Sequence, residues 1–141
     1  MLKPTNTNYL FKFSIVTAVY NVAPYLSEAI DSILSQDIGF LESVELILVD
    51  DGSTDASGAI CDEYQHKYPE NIVVIHKPNG GVASARNAGI AVARGRYVNF
   101  MDSDDKLTPD TLSSVYDFFI EHYKEVDLVS VPIFYFEHKN E

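Results

Sequence analysis

The sequence has little cysteine, no long apolar run and little positive charge. Its one cysteine, Cys61, excludes an internal disulfide bond, and its first residues lack the charged and apolar regions of a secretion signal. The longest apolar runs, such as 44–49, which Glu45 interrupts, fall far short of the roughly 20 residues that a membrane span needs. We therefore expect a protein of the reducing cytoplasm.

The charge balance is strongly acidic. Ten Lys and Arg stand against 21 Asp and Glu, which gives a formal net charge of −11. Such a surface repels phosphate backbones, so we expect no nucleic acid among the partners. A length of 141 residues with 46% hydrophobic and 22% charged residues is typical of one soluble globular domain.

Short β-branched runs alternate with segments of helical periodicity from residue 13 onward. The runs predict strands at 13–19, 44–49, 72–76, 97–101 and 126–131, and several are apolar on both faces, as buried parallel strands are. Helices are predicted to begin near Pro24, after residues 53–55, at Val82 and at Thr108. This alternation predicts an α/β fold with a mostly parallel central sheet. Residues 1–12 are polar, and we expect a frayed lead there.

Carboxylates follow two of the predicted strands. Asp50 and Asp51 follow the second strand, and Asp102 and Asp104 follow the fourth. Because right-handed crossovers place the carboxyl ends of parallel strands at one edge, these like charges repel one another unless a cation or a ligand relieves them. Asp102 and Asp104, at positions i and i+2, can share a hydrated magnesium or manganese ion. Asp50 or Asp51 can accept a hydrogen bond from a ribose hydroxyl or a base N–H.

Four other residues are candidates: two of them have two open interpretations each, and the other two have a structural interpretation. Tyr20, just past the first strand, can stack on a base or pack against the first helix. Arg86, early in the third helix, is either a cation of the pocket or part of a solvated helix face. Asp55 is predicted to be a turn or capping residue, and Cys61 a small core residue.

Four motifs, in this order and spacing, closely resemble the family 2 glycosyltransferases of GT-A fold. The resemblance extends from residue 13 to about residue 131. The motifs are the strand ending in Tyr20-Asn21 with its following helix, Leu48 to Asp55, Asn79 to Gly89, and Gly95 to Asp105.

The resemblance implies a Rossmann-like GT-A fold. It also implies transfer of a sugar from a nucleotide-diphosphate donor to an acceptor hydroxyl, with inversion at the anomeric carbon. The donor that the family suggests is a UDP-sugar. It implies a magnesium or manganese cofactor and a saccharide or lipid-linked acceptor. Such enzymes build surface polysaccharides at the cytoplasmic face of the membrane, so peripheral membrane association of the full-length enzyme is also implied.

The resemblance also implies the roles of individual residues. Asp51 would contact the base and Tyr20 would pack on it, Asp104 would ligate the metal, and Asp102 would assist through the ribose or a metal-bound water. The full set implied for nucleotide-sugar binding is Ala18, Tyr20, Asn21, Asp50, Asp51, Arg86, Asp102 and Ser103, with Asp104 and Asp102 for the metal.

The catalytic base of the family is an acid well C-terminal to the metal motif, often in a Glu-Asp pair, and no such pair follows Asp105. We therefore expect the base to lie C-terminal to Glu141, the last residue of this sequence. Residues 13–141 are then the nucleotide-sugar-binding part of a GT-A domain that is incomplete at its C-terminus.

Three alternatives remain open. A receiver-like magnesium-binding signalling module is also a small acidic α/β domain, but the third strand here ends in His76-Lys77-Pro78 where a receiver carries its phosphate-acceptor aspartate. A nicotinamide-dependent dehydrogenase needs a Gly-rich first turn, and the first turn here, 20–24, contains no glycine. A nucleotide-binding domain without catalysis is the third alternative.

Overall fold

The structure, a computed structural model, describes residues 9–129. In chain order the elements are β1 (Phe11–Val19), α1 (Ala23–Leu34), α2 (Phe40–Ser43), β2 (Val44–Asp50), α3 (Ser57–Lys67), β3 (Ile72–His76), α4 (Val82–Val92), β4 (Gly95–Phe100) and α5 (Thr111–Glu121). No helix within these residues is long and apolar enough to cross a membrane.

The sheet has the strand order β3-β2-β1-β4, and each neighbouring pair is parallel. In the register, Val19 lies opposite Asp50, and Asp50 lies opposite His76. The carboxyl ends of the strands therefore meet at one edge, which confirms the predicted α/β class and places the following loops side by side.

Helices cover both faces of the sheet. On one face the core combines the inward side of β1 and β2 with buried residues of α1, α3 and α5, among them Leu26, Cys61 and Leu112. On the other face α4 packs on Val16 and Ile47 through Ala85. Burial raises the pKa of the Cys61 thiol to about 12, as expected of the core residue predicted from the sequence.

A buried ion pair joins the strands at the opposite, amino-terminal edge of the sheet. The Glu45 carboxylate is fully buried and accepts hydrogen bonds from Arg94 Nε at 2.7 Å, Arg94 N at 2.8 Å and Ser14 Oγ at 2.7 Å. Ser14 Oγ in turn accepts from Gly95 N at 2.7 Å. This network ties β1, β2 and β4 together far from the edge where the acidic loops gather.

The structure differs from the sequence-based elements in several places; besides the three that follow, β4 spans Gly95–Phe100 where 97–101 was predicted, and α5 begins at Thr111 where Thr108 was predicted. Strand β1 begins at Phe11, two residues before the predicted start, because Phe11 pairs with Gly95 of β4 and its ring contacts the Arg94 guanidinium at 5.4 Å. Helix α2 was not predicted, since four residues carry no helical periodicity. The predicted strand 126–131 is wrong over 126–129, where the chain is irregular and Leu128 is 86% exposed, and residues 130–131 lie outside the described residues.

Candidate functional site

The loops after β1 and β2 are joined by hydrogen bonds through Asn21. Its Oδ1 accepts from the backbone N of Thr54 at 2.8 Å, and its own backbone N donates to Ser53 Oγ at 3.1 Å. Asn21 has φ of 50°, a left-handed conformation that asparagine tolerates better than most residues. Tyr20, which precedes it, is half exposed at this edge.

Asp55 connects the amino termini of two helices. Its carboxylate accepts hydrogen bonds from Ser57 N at 2.9 Å and from Ala23 N at 3.1 Å, which lie at the starts of α3 and α1. These hydrogen bonds, with that from Ser57 the strongest, hold the pKa of Asp55 below its usual range. Asp55 therefore has the structural role predicted for it, as a turn residue that precedes the N-cap Ala56 and accepts hydrogen bonds from the first residues of α3 and α1.

Asp51 is buried and its carboxylate is anchored to the segment that leads into α4. Lys77 Nζ donates to Oδ1 at 2.8 Å, Gly80 N donates to Oδ1 at 2.9 Å, and Gly81 N donates to Oδ2 at 2.9 Å. The Lys77 hydrogen bond, with those from the two glycine amides, outweighs burial and lowers the pKa of Asp51, so it is a carboxylate at neutral pH. Gly81 has φ of 92°, which a residue with a side chain rarely adopts.

Asp50 is buried beside Asp51 and is bonded to different partners. Its Oδ1 accepts from Ser53 N at 3.0 Å, and its Oδ2 lies 2.8 Å from His76 Nδ1. Burial raises the pKa of Asp50, but the hydrogen bonds from Ser53 and His76 outweigh it and leave the pKa below its ordinary value. Asp50 is thus fully engaged in holding the turn after β2.

An acidic cluster follows β4. Asp102, Asp104 and Asp105 are exposed, and each offers a carboxylate oxygen within 4.8 Å of those of the other two. Burial and the neighbouring Asp102 and Asp104 charges raise the pKa of Asp105. Arg86 Nη2 of α4 lies 3.4 Å from Asp102 Oδ1, and the Arg86 guanidinium lies 5.4 Å from the centre of the Phe100 ring.

The structure therefore brings Asp51 and Asp102 into one region through α4, since the segment that leads into this helix binds Asp51 and the second turn of the helix carries Arg86. Asn21, Tyr20 and Asp50 join this region from β1 and β2. Ser103 is buried next to the acidic cluster, and Ala18 is half-buried on the face of the sheet that packs against α4.

The catalytic base has no assigned residue in this site. We expect it C-terminal to Glu141, and Glu141 itself lies outside the described residues 9–129. The structure therefore does not test this expectation, which stays a prediction.

The sequence analysis missed three residues of the site: His76, Lys77 and, as a member of the acidic cluster, Asp105. A signal was present for the first two. His76 and Lys77 stand at the end of β3 as Asp50 and Asp51 stand at the end of β2, and parallel strands bring these ends to one edge, but which base faces which acid depends on a register that the sequence does not give.

These groups can perform a definite set of tasks. An exposed aromatic ring can stack on a flat base, a buried carboxylate can accept an N–H, and a cluster of carboxylates can hold a divalent cation. The edge where they meet is the place where open parallel sheets bind their ligands.

The sequence profile of the family described as Glycosyl transferase family 2 matches residues 14–140. Among curated proteins, the minor teichoic acid biosynthesis protein GgaB of Bacillus subtilis is 51% identical over 130 residues. That alignment covers 92% of this chain and 14% of GgaB, so the chain spans about a seventh of its relative's length.

Two solved structures share the fold. TarS of S. aureus in complex with UDP-GlcNAc has a TM-score of 0.73 at 34% identity, over 87% of this chain and 37% of that chain. A mannosyltransferase from Pyrobaculum calidifontis in complex with GDP-Man and Mn2+ has a TM-score of 0.70 at 25% identity, over 79% and 33% of the two chains. Because the family profile matches the chain over nearly its whole length and these structures share its fold, this chain belongs to glycosyl transferase family 2.

Proposed function

We propose that this chain is the donor-binding part of a metal-dependent glycosyltransferase that uses a UDP-sugar and inverts the configuration of the transferred sugar. The observation that carries the proposal is the meeting of Tyr20, Asp51 and the Asp102 cluster at the carboxyl edge of the sheet, in a fold that TarS shares in its complex with UDP-GlcNAc. No finding supports the receiver or dehydrogenase alternatives.

Asp51 and Tyr20 are suited to bind the base. A carboxylate has about four acceptor positions, and Lys77 and Gly80 use those of Asp51 Oδ1 while Gly81 uses one of Oδ2. One acceptor position on Oδ2 is left for a ligand, and the uracil of UDP, whose N1 is bonded to the ribose, presents a single ring N–H. The half-exposed ring of Tyr20 supplies the stacking surface.

The cluster of Asp102, Asp104 and Asp105 fits a hard divalent cation. Its oxygens approach within 4.8 Å, and the raised pKa of Asp105 reflects in part a repulsion that a bound cation relieves. Asp104 and Asp102 would hold magnesium or manganese, with Asp105 as a further ligand. When bound, the metal would act as a Lewis acid toward the departing diphosphate. Arg86 adds a fixed positive charge beside Asp102.

We place the catalytic base C-terminal to Glu141, together with the acceptor site. Asp117 and Glu121 are acids of α5 that lie exposed on the surface, as expected of a solvated helix face, and we do not assign the base to them. The acceptor proposed is a saccharide or lipid-linked glycan of the cell surface, by analogy with the teichoic acid role in the name of GgaB. The enzyme would then work at the cytoplasmic face of the membrane, and the 141-residue chain should bind donor and transfer little sugar.

The proposal is tested by calorimetric titration of the 141-residue chain with UDP, with manganese or with a chelator. We expect manganese to strengthen UDP binding and Asp104→Ala to weaken the manganese-dependent binding about tenfold or more, since a charged metal ligand is lost. Asp117→Ala, which removes an exposed aspartate of α5, is the matched control and should bind normally. Equal affinity with manganese and with chelator would contradict the metal dependence.

A further inference from the structure

Two consecutive acids at the end of β2 face two consecutive bases at the end of β3. Asp50 and His76 are partners in the register of the sheet, and the next residues, Asp51 and Lys77, are joined by an ion pair of 2.8 Å. The backbone continues this pairing beyond the strands, since Lys77 N donates to Asp50 O at 3.0 Å. Each buried carboxylate thus has its own basic partner.

His76 differs from Lys77 because it lies between two carboxylates. Its Nδ1 is 2.8 Å from Asp50 Oδ2, and its Nε2 is 2.7 Å from Asp62 Oδ1 of α3. Only the imidazolium form donates from both ring nitrogens at once, whereas a neutral ring turns a lone pair toward one carboxylate. The arrangement therefore requires a protonated His76.

The groups that face His76 favour its charged form. Asp50 comes from β2 and Asp62 from α3, and their hydrogen bonds, Asp50 first, raise the pKa of His76 above its ordinary value of 6.5. Cys61 of α3 is close to the same two carboxylates, and its pKa of about 12 keeps the thiol neutral. Lys77, the neighbour along the chain, pairs with Asp51 instead.

A chain of hydrogen bonds connects His76 with the candidate base-stacking residue. The second oxygen of Asp50 accepts from Ser53 N at 3.0 Å, and Ser53 Oγ accepts from Asn21 N at 3.1 Å. Asn21 directly follows Tyr20. Fixing Asp50 therefore fixes the turn after β2, and this turn fixes the loop that presents Tyr20.

We infer that His76 is a positioning residue for nucleotide binding: as an imidazolium it holds Asp50 between β2, β3 and α3, and through Ser53 and Asn21 it orders the loop that carries Tyr20. This inference rests on the proposed function. The folded state binds the His76 proton more tightly than the unfolded state does. The stability that protonated His76 contributes to the folded state is therefore complete below about pH 6.5. The contribution is lost as the pH rises through the raised pKa of folded His76. UDP affinity should fall over the same range.

The experiment measures UDP binding to the 141-residue chain by calorimetry from pH 6 to pH 9, with fixed manganese, and follows the His76 ring proton by NMR over the same range. The variants are His76→Asn, which keeps an amide donor toward Asp50 and cannot titrate, and Asp62→Asn, which leaves the His76–Asp50 contact in place. His66→Asn changes a different histidine, which is exposed on α3, and is the matched control. Affinities are compared as ratios to the unmodified protein, so that titration of UDP itself cancels.

At pH 6 we expect His76→Asn to bind UDP about threefold to tenfold more weakly, as the loss of a charge-assisted hydrogen bond would cause. The ratio of the UDP affinity of His76→Asn to that of the unmodified protein should approach one at high pH. The midpoint of this change should lie at the NMR-measured pKa of His76. Asp62→Asn should move that midpoint to lower pH, and His66→Asn should not move it. A merely structural role would weaken binding at every pH alike.

The inference is wrong if His76→Asn and the unmodified protein keep the same affinity at every pH, or if their ratio does not change with pH. Should His76→Asn fail to fold, an unmoved midpoint in Asp62→Asn overturns the inference by itself. Failure of the proposed function looks different: the unmodified protein would then bind no UDP at any pH, and the inference would fall with it.

Discussion

At the scale of single residues, Asp51 is fixed by the fold in the way that the proposed binding of a base requires. Three donors from the segment 77–81 hold it in place, and they keep it charged and oriented. In the proposed function a ligand N–H would meet a preformed acceptor, so that ordering the carboxylate would cost little free energy on binding. Loss of the Asp51 charge should therefore affect the entry into α4 as well as nucleotide binding.

Tyr20 provides a sharper test, because it is half exposed and its loss should do little to the fold. We expect Tyr20→Ala to weaken UDP binding by ~1 to 3 kcal/mol, the range measured for stacking of one base on an aromatic ring. Calorimetric titration with UDP at fixed manganese measures this loss of binding free energy. Tyr9→Ala is the matched control, since Tyr9 is equally exposed but precedes the other end of β1.

A Tyr20→Ala variant that binds UDP as tightly as the unmodified protein, with Tyr9→Ala also unchanged, would show that Tyr20 only packs against the first helix. That was the other interpretation of Tyr20 that the sequence left open.

The acids of the site could be predicted from the sequence, whereas their partners could not. Asp50, Asp51, Asp102 and Asp104 directly follow β-branched runs, and parallel strands end at a common edge, so their grouping follows from the strand assignment alone. Their donors depend on the register between β2 and β3 and on the path of the segment 77–81. Neither can be derived from hydrophobic periodicity.

At the scale of elements, α4 unites the two halves of the site. Its amino terminus begins at the glycines bound to Asp51, and Arg86 in its second turn reaches Asp102. The helix can do this because it lies close to the sheet at Gly89, where an added Cβ would be 2.4 Å from Val16 Cγ1. Alanine and glycine, which have small side chains or none, make up much of this helix and permit the close approach.

We therefore expect Gly89→Ala to destabilise the protein by ~1 to 3 kcal/mol through overpacking, although alanine in a helix interior is favoured by about 1 kcal/mol over glycine. Urea-induced unfolding gives the free energy. In a Val16→Ala background, where the clashing methyl group is absent, the same substitution should cost less. A stabilising Gly89→Ala, or an equal cost in both backgrounds, would contradict the close packing of α4.

The main helices and the first four strands were predictable because each is periodic and ends at a turn or capping residue. Strand β3 has the predicted bounds, and β2 ends one residue later than predicted. Helix α5 begins at Thr111, because residues 108–110 form a turn in which the carbonyls of Thr108 and Pro109 accept hydrogen bonds from Gln36 and Asp37. Such contacts between distant residues set element ends that local patterns miss.

At the scale of the whole molecule, a chain of net charge −11 needs local positive charge if it is to receive an anionic ligand. Buried carboxylates are neutralised individually, Asp50 by His76, Asp51 by Lys77 and Glu45 by Arg94. The exposed cluster after β4 is paired with the cation Arg86 through Asp102. A divalent cation at this cluster is the charge that a nucleotide diphosphate would need.

The central claim is that a divalent cation and a UDP-sugar share one site at the carboxyl edge of the sheet. The most direct test is the broadening of backbone amide NMR signals by paramagnetic Mn2+ in the presence of UDP. We predict the strongest broadening at residues 102–105 and at Arg86, with Val44 and Arg94 at the opposite edge spared. Broadening centred elsewhere, or unchanged by adding UDP, would contradict the account.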